Sequence, residues 1–168
     1  MKKYELTTNT KMRFGEKLFQ IKALISFGDV TAGDLGGYIE KEENLSHDGT
    51  AWVYGNARVY GDARVSGNAR VSGDARVYGD AWVYGNARVS GDADYICFKG
   101  FGSENRNTTM FRTKNGDVYV CCGCFKGSLK EFSEKVKETH GSSKYAKEYL
   151  ACVEVAKIHF EIGEENDK

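Results

Sequence analysis

From Val53 to Asp94 the chain repeats itself every six residues, opening Val53-Tyr-Gly-Asn-Ala-Arg58, Val59-Tyr-Gly-Asp-Ala-Arg64, Val65-Ser-Gly-Asn-Ala-Arg70. Seven successive units keep valine first, glycine third, Asn or Asp fourth and alanine fifth. His47 to Trp52 is an eighth, degenerate unit that retains Gly49 and Ala51. A six-residue period suits neither an α-helix nor a hairpin meander and belongs to solenoid coils built of parallel strands. Three sixes close a triangular coil of about 18 residues, and successive coils stack about 4.8 Å apart. Valine and alanine face inward, and glycine followed by Asn or Asp makes the corner.

A branched residue followed four later by a small one resembles the hexapeptide-repeat family. That resemblance implies a left-handed parallel β-helix, an exception to the right-handed crossover rule. The expected fold is therefore mainly β: a short left-handed β-helix, an N-terminal β cap and a C-terminal α+β module. Residues 1–46 form the cap, 47–94 the coil, 95–162 the module and 163–168 a charged tail. In the cap, Tyr4–Thr8 and Lys17–Phe27 read as strands, the second burying Phe19, Ile21, Ala23, Ile25 and Phe27 by period two. Leu45 falls in phase with the small fifth position of a unit.

In the module, Tyr95–Phe101, Thr108–Thr113 and Val118–Cys122 read as strands, the last two joined through the hairpin signal Asn115-Gly116. Ser128-Leu-Lys-Glu131 is a capping box that starts a helix ending near Thr139. Ser142 or Ser143 caps a second helix carrying Tyr145, Tyr149, Leu150, Val153 and Ile158.

Lys+Arg and Asp+Glu both number 24, so net charge gives no case for DNA, RNA or a membrane surface. The first residues lack the apolar run of a signal peptide, and no stretch has the length of a membrane span. Five cysteines, three of them crowded at Cys121, Cys122 and Cys124, suit a reducing cytoplasm better than a disulfide framework. Zinc needs four ligands, and Cys97, Cys152 or His140 would have to complete the set. The alternating strand Val118–Cys122 uses cysteine as a small core residue, so no metal is expected.

Outward positions 18 apart stack in ladders: Tyr60 with Tyr78, Arg64 with Trp82, Trp52 with Arg70 and Arg88, and Arg58 with Arg76 and Asp94. Tyr84 lies beside Trp82. Guanidinium over indole is favourable, and such ladders either dress the surface or pack subunits together. A thin core of valine and alanine calls for a partner, and the expectation is a homotrimer whose interface holds Trp52, Tyr60, Arg64, Arg70, Tyr78, Trp82, Tyr84 and Arg88.

Histidine decides between binding and catalysis. Hexapeptide acyltransferases place a histidine base near the coil, whereas the regular units here contain none, and His47, His140 and His159 are scattered. Acyl transfer from acyl-coenzyme A is thus the rival reading, and no cofactor is expected. A second constellation is Ser103, Arg106, Thr108, Thr109 and Arg112, with Lys126 and Ser128 feeding a helix N-terminus that favours an anion. With His140 these form the expected ligand site, and Arg112 is its main charge partner.

The run Ala32-Gly-Asp-Leu-Gly-Gly-Tyr-Ile-Glu-Lys-Glu-Glu-Asn-Leu-Ser-His47 ahead of the repeats resembles phage and prophage hexapeptide-repeat proteins. So do Gly102-Ser103-x-x-Arg106-x-Thr108-Thr109-x-Phe111-Arg112-Thr113, Gly123-Cys124-Phe125-x-Gly127-Ser128-Leu129 and Thr139-His140-Gly141. The resemblance implies a viral accessory protein in the bacterial host cytoplasm. Its expected role is non-enzymatic capture of a host component, by sequestering a nucleotide-type signal or blocking a protein. A polymer-forming structural role is the further alternative.

Overall fold

A computed structural model describes residues 1–13 and 15–162, and the expected charged tail 163–168 lies outside the described residues. The chain divides into two compact units, Met1–Asp92 and Ala93–Lys168.

The first unit is a mainly β solenoid of parallel strand ladders. An antiparallel hairpin, β1 (Tyr4–Arg13) and β2 (Glu16–Ala23), pairs with β3 (Leu35–Ile39). Seven two-residue strands follow, from β4 (Trp52–Val53) through β5 (Arg58–Val59), β6 (Arg64–Val65), β7 (Arg70–Val71), β8 (Arg76–Val77) and β9 (Trp82–Val83) to β10 (Arg88–Val89). They stack as three parallel ladders: β3-β5-β8, β4-β7-β10, and β6-β9 with Leu45 bridged to Val65. Every valine of the repeat from Val53 to Val89 and every alanine from Ala51 to Ala87 is buried. The inward pattern follows from the period, since each unit offers one branched and one small side chain to the axis. Corners are tight enough to require glycine. Gly67 has φ +70°, and a Cβ there would lie 2.8 Å from the Gly85 nitrogen of the next coil.

The coil starts earlier than residue 47. Tyr38 pairs with Arg58 and Ile39 with Val59, so β3 is already its first face. Leu45 sits under Val65 and takes a valine's place, not the fifth position of a unit. These first rungs are 20 residues apart, whereas Val53 to Val71 is 18. The two extra residues fall between Leu45 and Trp52 and bulge one corner. Asn44, fully buried in a 3-10 turn (Glu42–Asn44), ties the corner just before this stretch to the next coil. Its amide donates to the carbonyls of Gly61 (3.0 Å) and Ala63 (2.9 Å) and its oxygen accepts from the Lys41 N–H (2.9 Å).

In β2 strict alternation fails. Leu18, Ile21 and Ala23 are the buried residues, and Phe19 is only half-buried, because the register against β3 shifts between Gln20 and Lys22. The strand also ends at Ala23, short of Ile25 and Phe27.

The second unit is a four-stranded antiparallel sheet with helices on one face. The strands are β11 (Tyr95–Phe101), β12 (Arg106–Arg112), β13 (Val118–Cys122) and β14 (Phe125–Ser128), in that order. The fourth, unexpected strand arises from a two-residue turn between Cys122 and Phe125, with Gly123 at φ +57°. Helices α1 (Leu129–His140) and α2 (Lys144–His159) pack Phe132, Val136, Tyr149, Cys152, Val153 and Ala156 against Met110, Val118, Val120 and Cys122. Ser143 caps α2 by accepting the Ala146 N–H. Ile158 is 78 % exposed, because nine residues beyond Tyr149 it falls half a turn from the buried stripe. Among the described residues no helix is long and apolar enough to cross a membrane.

Candidate functional site

The expected ligand residues of the second unit do not converge. Arg106 and Arg112 stand at opposite ends of β12, about 20 Å apart by strand rise. Thr108 and Thr109 are buried, one side chain donating to Cys122 Sγ (3.1 Å) and the other 3.7 Å from Cys97 Sγ. Ser103 and Lys126 are exposed, and His140 ends α1 with its ring stacked on Tyr149 at 5.7 Å. Arg112, expected to meet a ligand, instead donates to the carbonyls of Phe160 (2.6 Å) and Gly116 (3.3 Å) and lies over the Phe160 ring. It fastens the end of α2 to the β12–β13 hairpin. The anion position at the start of α1 is likewise filled from within. The Glu131 carboxylate accepts from Ser128 N (2.7 Å) and Ser128 Oγ (2.8 Å), and these bonds hold it below the usual carboxylate range.

The crowded cysteines serve the core. Cys121 is buried, its thiol pushed up to about 11 by desolvation, and Cys122 accepts from Thr108, while Cys124 is exposed in the turn. Among the described residues no His, Cys, Asp and Glu side chains cluster as metal ligands.

The ladders of the coil differ from one another. On the β4-β7-β10 face Trp52 is 1 % exposed, covered edge-on by Phe27 (5.4 Å) and Tyr4 (6.1 Å), so it is no surface residue. Above it Arg70 makes a two-pronged bond to Asp29 and lies over the Tyr54 ring, and Tyr54 donates to the same carboxylate. Arg88 donates to the carbonyls of Asn68 and Ala87. On the β3-β5-β8 face Tyr60 and Tyr78 stack at 5.4 Å with planes 10° apart. Arg58 and Arg76 pair as expected, and Asp92 accepts the Arg76 backbone N–H and its guanidinium. A side chain there replaces the next strand.

The third face carries a groove that the sequence had not singled out. About 460 Å³ lies between the irregular corner and the β6-β9 ladder, lined by Glu42, Glu43, Leu45, Ser46, His47, Arg64, Val65, Ser66 and Trp82. It exists because the first coil offers a 3-10 turn where the next two offer Arg64 and Trp82. The indole is fixed by donating to Ser66 Oγ at 3.3 Å, with the Tyr84 ring 6.3 Å away. Arg64 does not stack on it as expected; its exposed guanidinium has no hydrogen-bond, ion-pair or ring partner among the described residues. Glu42 is bound by Lys2 Nζ (2.6 Å), which with nearby His47 holds its carboxyl below the usual range. Glu43 is exposed and forms no ion pair among the described residues. His47 stacks on Tyr4 at 4.4 Å, and its Nδ1 accepts the Lys3 backbone N–H. Its proton therefore sits on Nε2, which is buried, lacks a hydrogen-bond acceptor and lies 3.8 Å from Glu42 Oε2. The groove thus offers donors from Arg64 and Ser66, acceptors from Glu42 and Glu43, and a flat indole. Tandem glycine-and-alanine units mark the ladder in the sequence. The only written sign of the groove is the break in period at Ser46 to Asp48.

No curated protein matches the chain. A family model described as the YdcK beta solenoid repeat matches residues 51–67, 63–79, 69–85 and 81–93, the regular coils described above. Over this stretch the chain is a β-solenoid repeat protein.

Proposed function

We propose that this chain is a non-enzymatic binding protein that captures a host component in the groove between Glu43, Arg64 and Trp82. The coil is read as a left-handed hexapeptide helix, and the protein as a phage-encoded one acting in the bacterial cytoplasm, on the sequence resemblance alone. The observation that carries the binding reading is the pairing of a fixed, half-buried indole with a guanidinium that has no partner among the described residues, in one concavity. Pocket volumes of this size are ordinary for ligand sites, and an indole beside an arginine is typical of binding hot spots. The state of His47 argues against acyl transfer in the groove. A general base must aim a free lone pair at the proton it removes, and the lone pair of Nδ1 is engaged by Lys3. Self-association as a trimer fits the Tyr60–Tyr78 face best, since Tyr78 is 51 % exposed, whereas Trp52 and Arg70 are already engaged.

Affinity capture by wild-type protein, compared with Arg64→Ala and Trp82→Ala variants of matched thermal stability, tests the proposal. The bound species should fall about tenfold or more in each variant. Retention at wild-type levels in both would remove the groove from consideration. Turnover of acetyl-coenzyme A with an acceptor panel, abolished by His47→Ala or His140→Ala, would restore the enzyme reading.

A further inference from the structure

We infer that the outer face of α2 packs against the same face of a second copy of this chain, the two helices running antiparallel about a two-fold axis. The surface lies wholly within the second unit and is independent of the groove. α2 carries two apolar stripes. One, holding Tyr149, Cys152, Val153 and Ala156, is buried in the core of the unit. The other, Ala151, Val155 and Ile158, has the i, i+4, i+7 spacing of a second helix face. It is exposed, Val155 by 46 % and Ile158 by 78 %. An apolar row on the outer side of a helix whose inner side is already packed marks a protein contact.

The charges show what covers it. Lys147 lies one turn before Ala151, and Glu161 stands just past the end of the helix. Both are exposed, and neither side chain has a hydrogen-bond or ion-pair partner among the described residues. The other charges of α2 are engaged: Glu154 with Lys157 at 2.8 Å, Glu148 with the Gly102 N–H at 2.9 Å, and Lys144 over the Tyr145 ring. Glu161 is held, not frayed. Its N–H donates to the Ile158 carbonyl (3.1 Å) and the Ile162 N–H to the Lys157 carbonyl (2.9 Å), a closure made with Glu161 at φ +51°. In a parallel pair Lys147 would meet Lys147 and Glu161 would meet Glu161. With the helices antiparallel about an axis beside Val155, each Lys147 falls level with the partner's Glu161 and each Ala151 with the partner's Ile158. Small opposite large lets the helices approach, and the opposed helix dipoles add a favourable term. The stripe and its unpaired charges therefore complement themselves, which is what a two-fold contact between copies requires.

A single helix pair is a small interface, so its dissociation constant should lie at about ten to a hundred micromolar. Sedimentation of the full chain across that range should show its mass at least doubling, whatever association the coil supplies. Ile158→Asp should weaken this step about tenfold or more. Lys147→Glu and Glu161→Lys should each weaken it about three- to tenfold, and the two combined should return it to near the wild-type value. All three positions are exposed, so circular dichroism of the variants should match the wild type. A wild-type chain that gains no mass, association that survives Ile158→Asp, or a double variant no tighter than the single ones would overturn the inference. Constant mass together with capture of another protein that Ile158→Asp abolishes would assign the stripe to that protein, and would overturn it too.

Discussion

The coil and the C-terminal module solve the same problem, burying enough apolar surface, in opposite ways. The coil spreads its core over many small side chains, with Val59, Val65, Ala57 and Ala63 all at 0–1 % exposure, and each supplies little alone. The module concentrates its core in a few large rings: Phe132 meets Phe125 at 5.2 Å and Tyr149 at 5.6 Å. The contrast explains where recognition chemistry has room. In the module the polar motifs are consumed by structure, with Arg112 on Phe160, Ser128 on Glu131 and Thr108 on Cys122. In the coil the inward pattern is met by valine and alanine alone, so outward side chains are free to differ, and they combine into a site where the period breaks.

The largest expected effect tests the concentrated core. Phe132→Ala should cost about 3–5 kcal/mol and abolish hydrogen-exchange protection in β13 and α2, whereas Val71→Ala in the coil should cost about 2 kcal/mol. Equal losses at the two positions would erase the distinction between the regions.

Corner glycines sharpen the comparison within the coil. Gly67→Ala places a Cβ 2.8 Å from backbone at φ +70° and should cost about 2–3 kcal/mol. Gly79 has nearly the same φ, +66°, but nothing within 4 Å, so Gly79→Ala should cost only about 1 kcal/mol. Denaturant midpoints of the two variants separate stacking from backbone conformation. If they coincide, close approach between coils contributes nothing.

Next in size is Arg112→Ala, which should lower stability by about 1–2 kcal/mol through loss of its charge-assisted bond to the Phe160 carbonyl, with groove binding unchanged. This residue shows where the sequence stopped being legible. An arginine in a polar hairpin ahead of a helix reads as an anion partner, and nothing local reveals that a carbonyl 48 residues away takes it. The capping box at Ser128 was legible, yet its own Glu131 fills the anion position that it advertised. Trp52 sits in phase with outward residues, and only the tertiary placement of Phe27 and Tyr4 buries it. The repeat itself needed no tertiary knowledge, because period and side-chain size determine which way each residue points. The 3-10 turn of the first coil was hidden because Asn44, the residue that ties it to the next coil, looks like an ordinary polar loop residue.

The smallest effect sets the two regions against each other by pH. Lys3, in the first unit, is 1 % exposed, with Nζ donating to the Ala51 carbonyl at 2.8 Å, and burial pushes it down to about 8. In the unfolded chain a lysine keeps its proton until about 10.4, so between those values the unfolded state binds more protons and stability rises with pH. The penalty for charging Lys3 is present in full below about 8 and is relieved above it, giving about 1 kcal/mol between pH 7 and 9. In the second unit burial raises the Cys121 and Cys152 thiols to about 11, above their ordinary range. There the folded state holds its protons longer, so stability falls once pH passes the unfolded thiol value near 8.5. Amide exchange near Lys3, corrected for its intrinsic base dependence, should therefore become more protected from pH 7 to 9, while β13 and α2 become less so. Lys3→Met should flatten the first trend, and Cys121→Ala with Cys152→Ala should reduce the second. Parallel trends in both units would mean that these groups do not set the pH response.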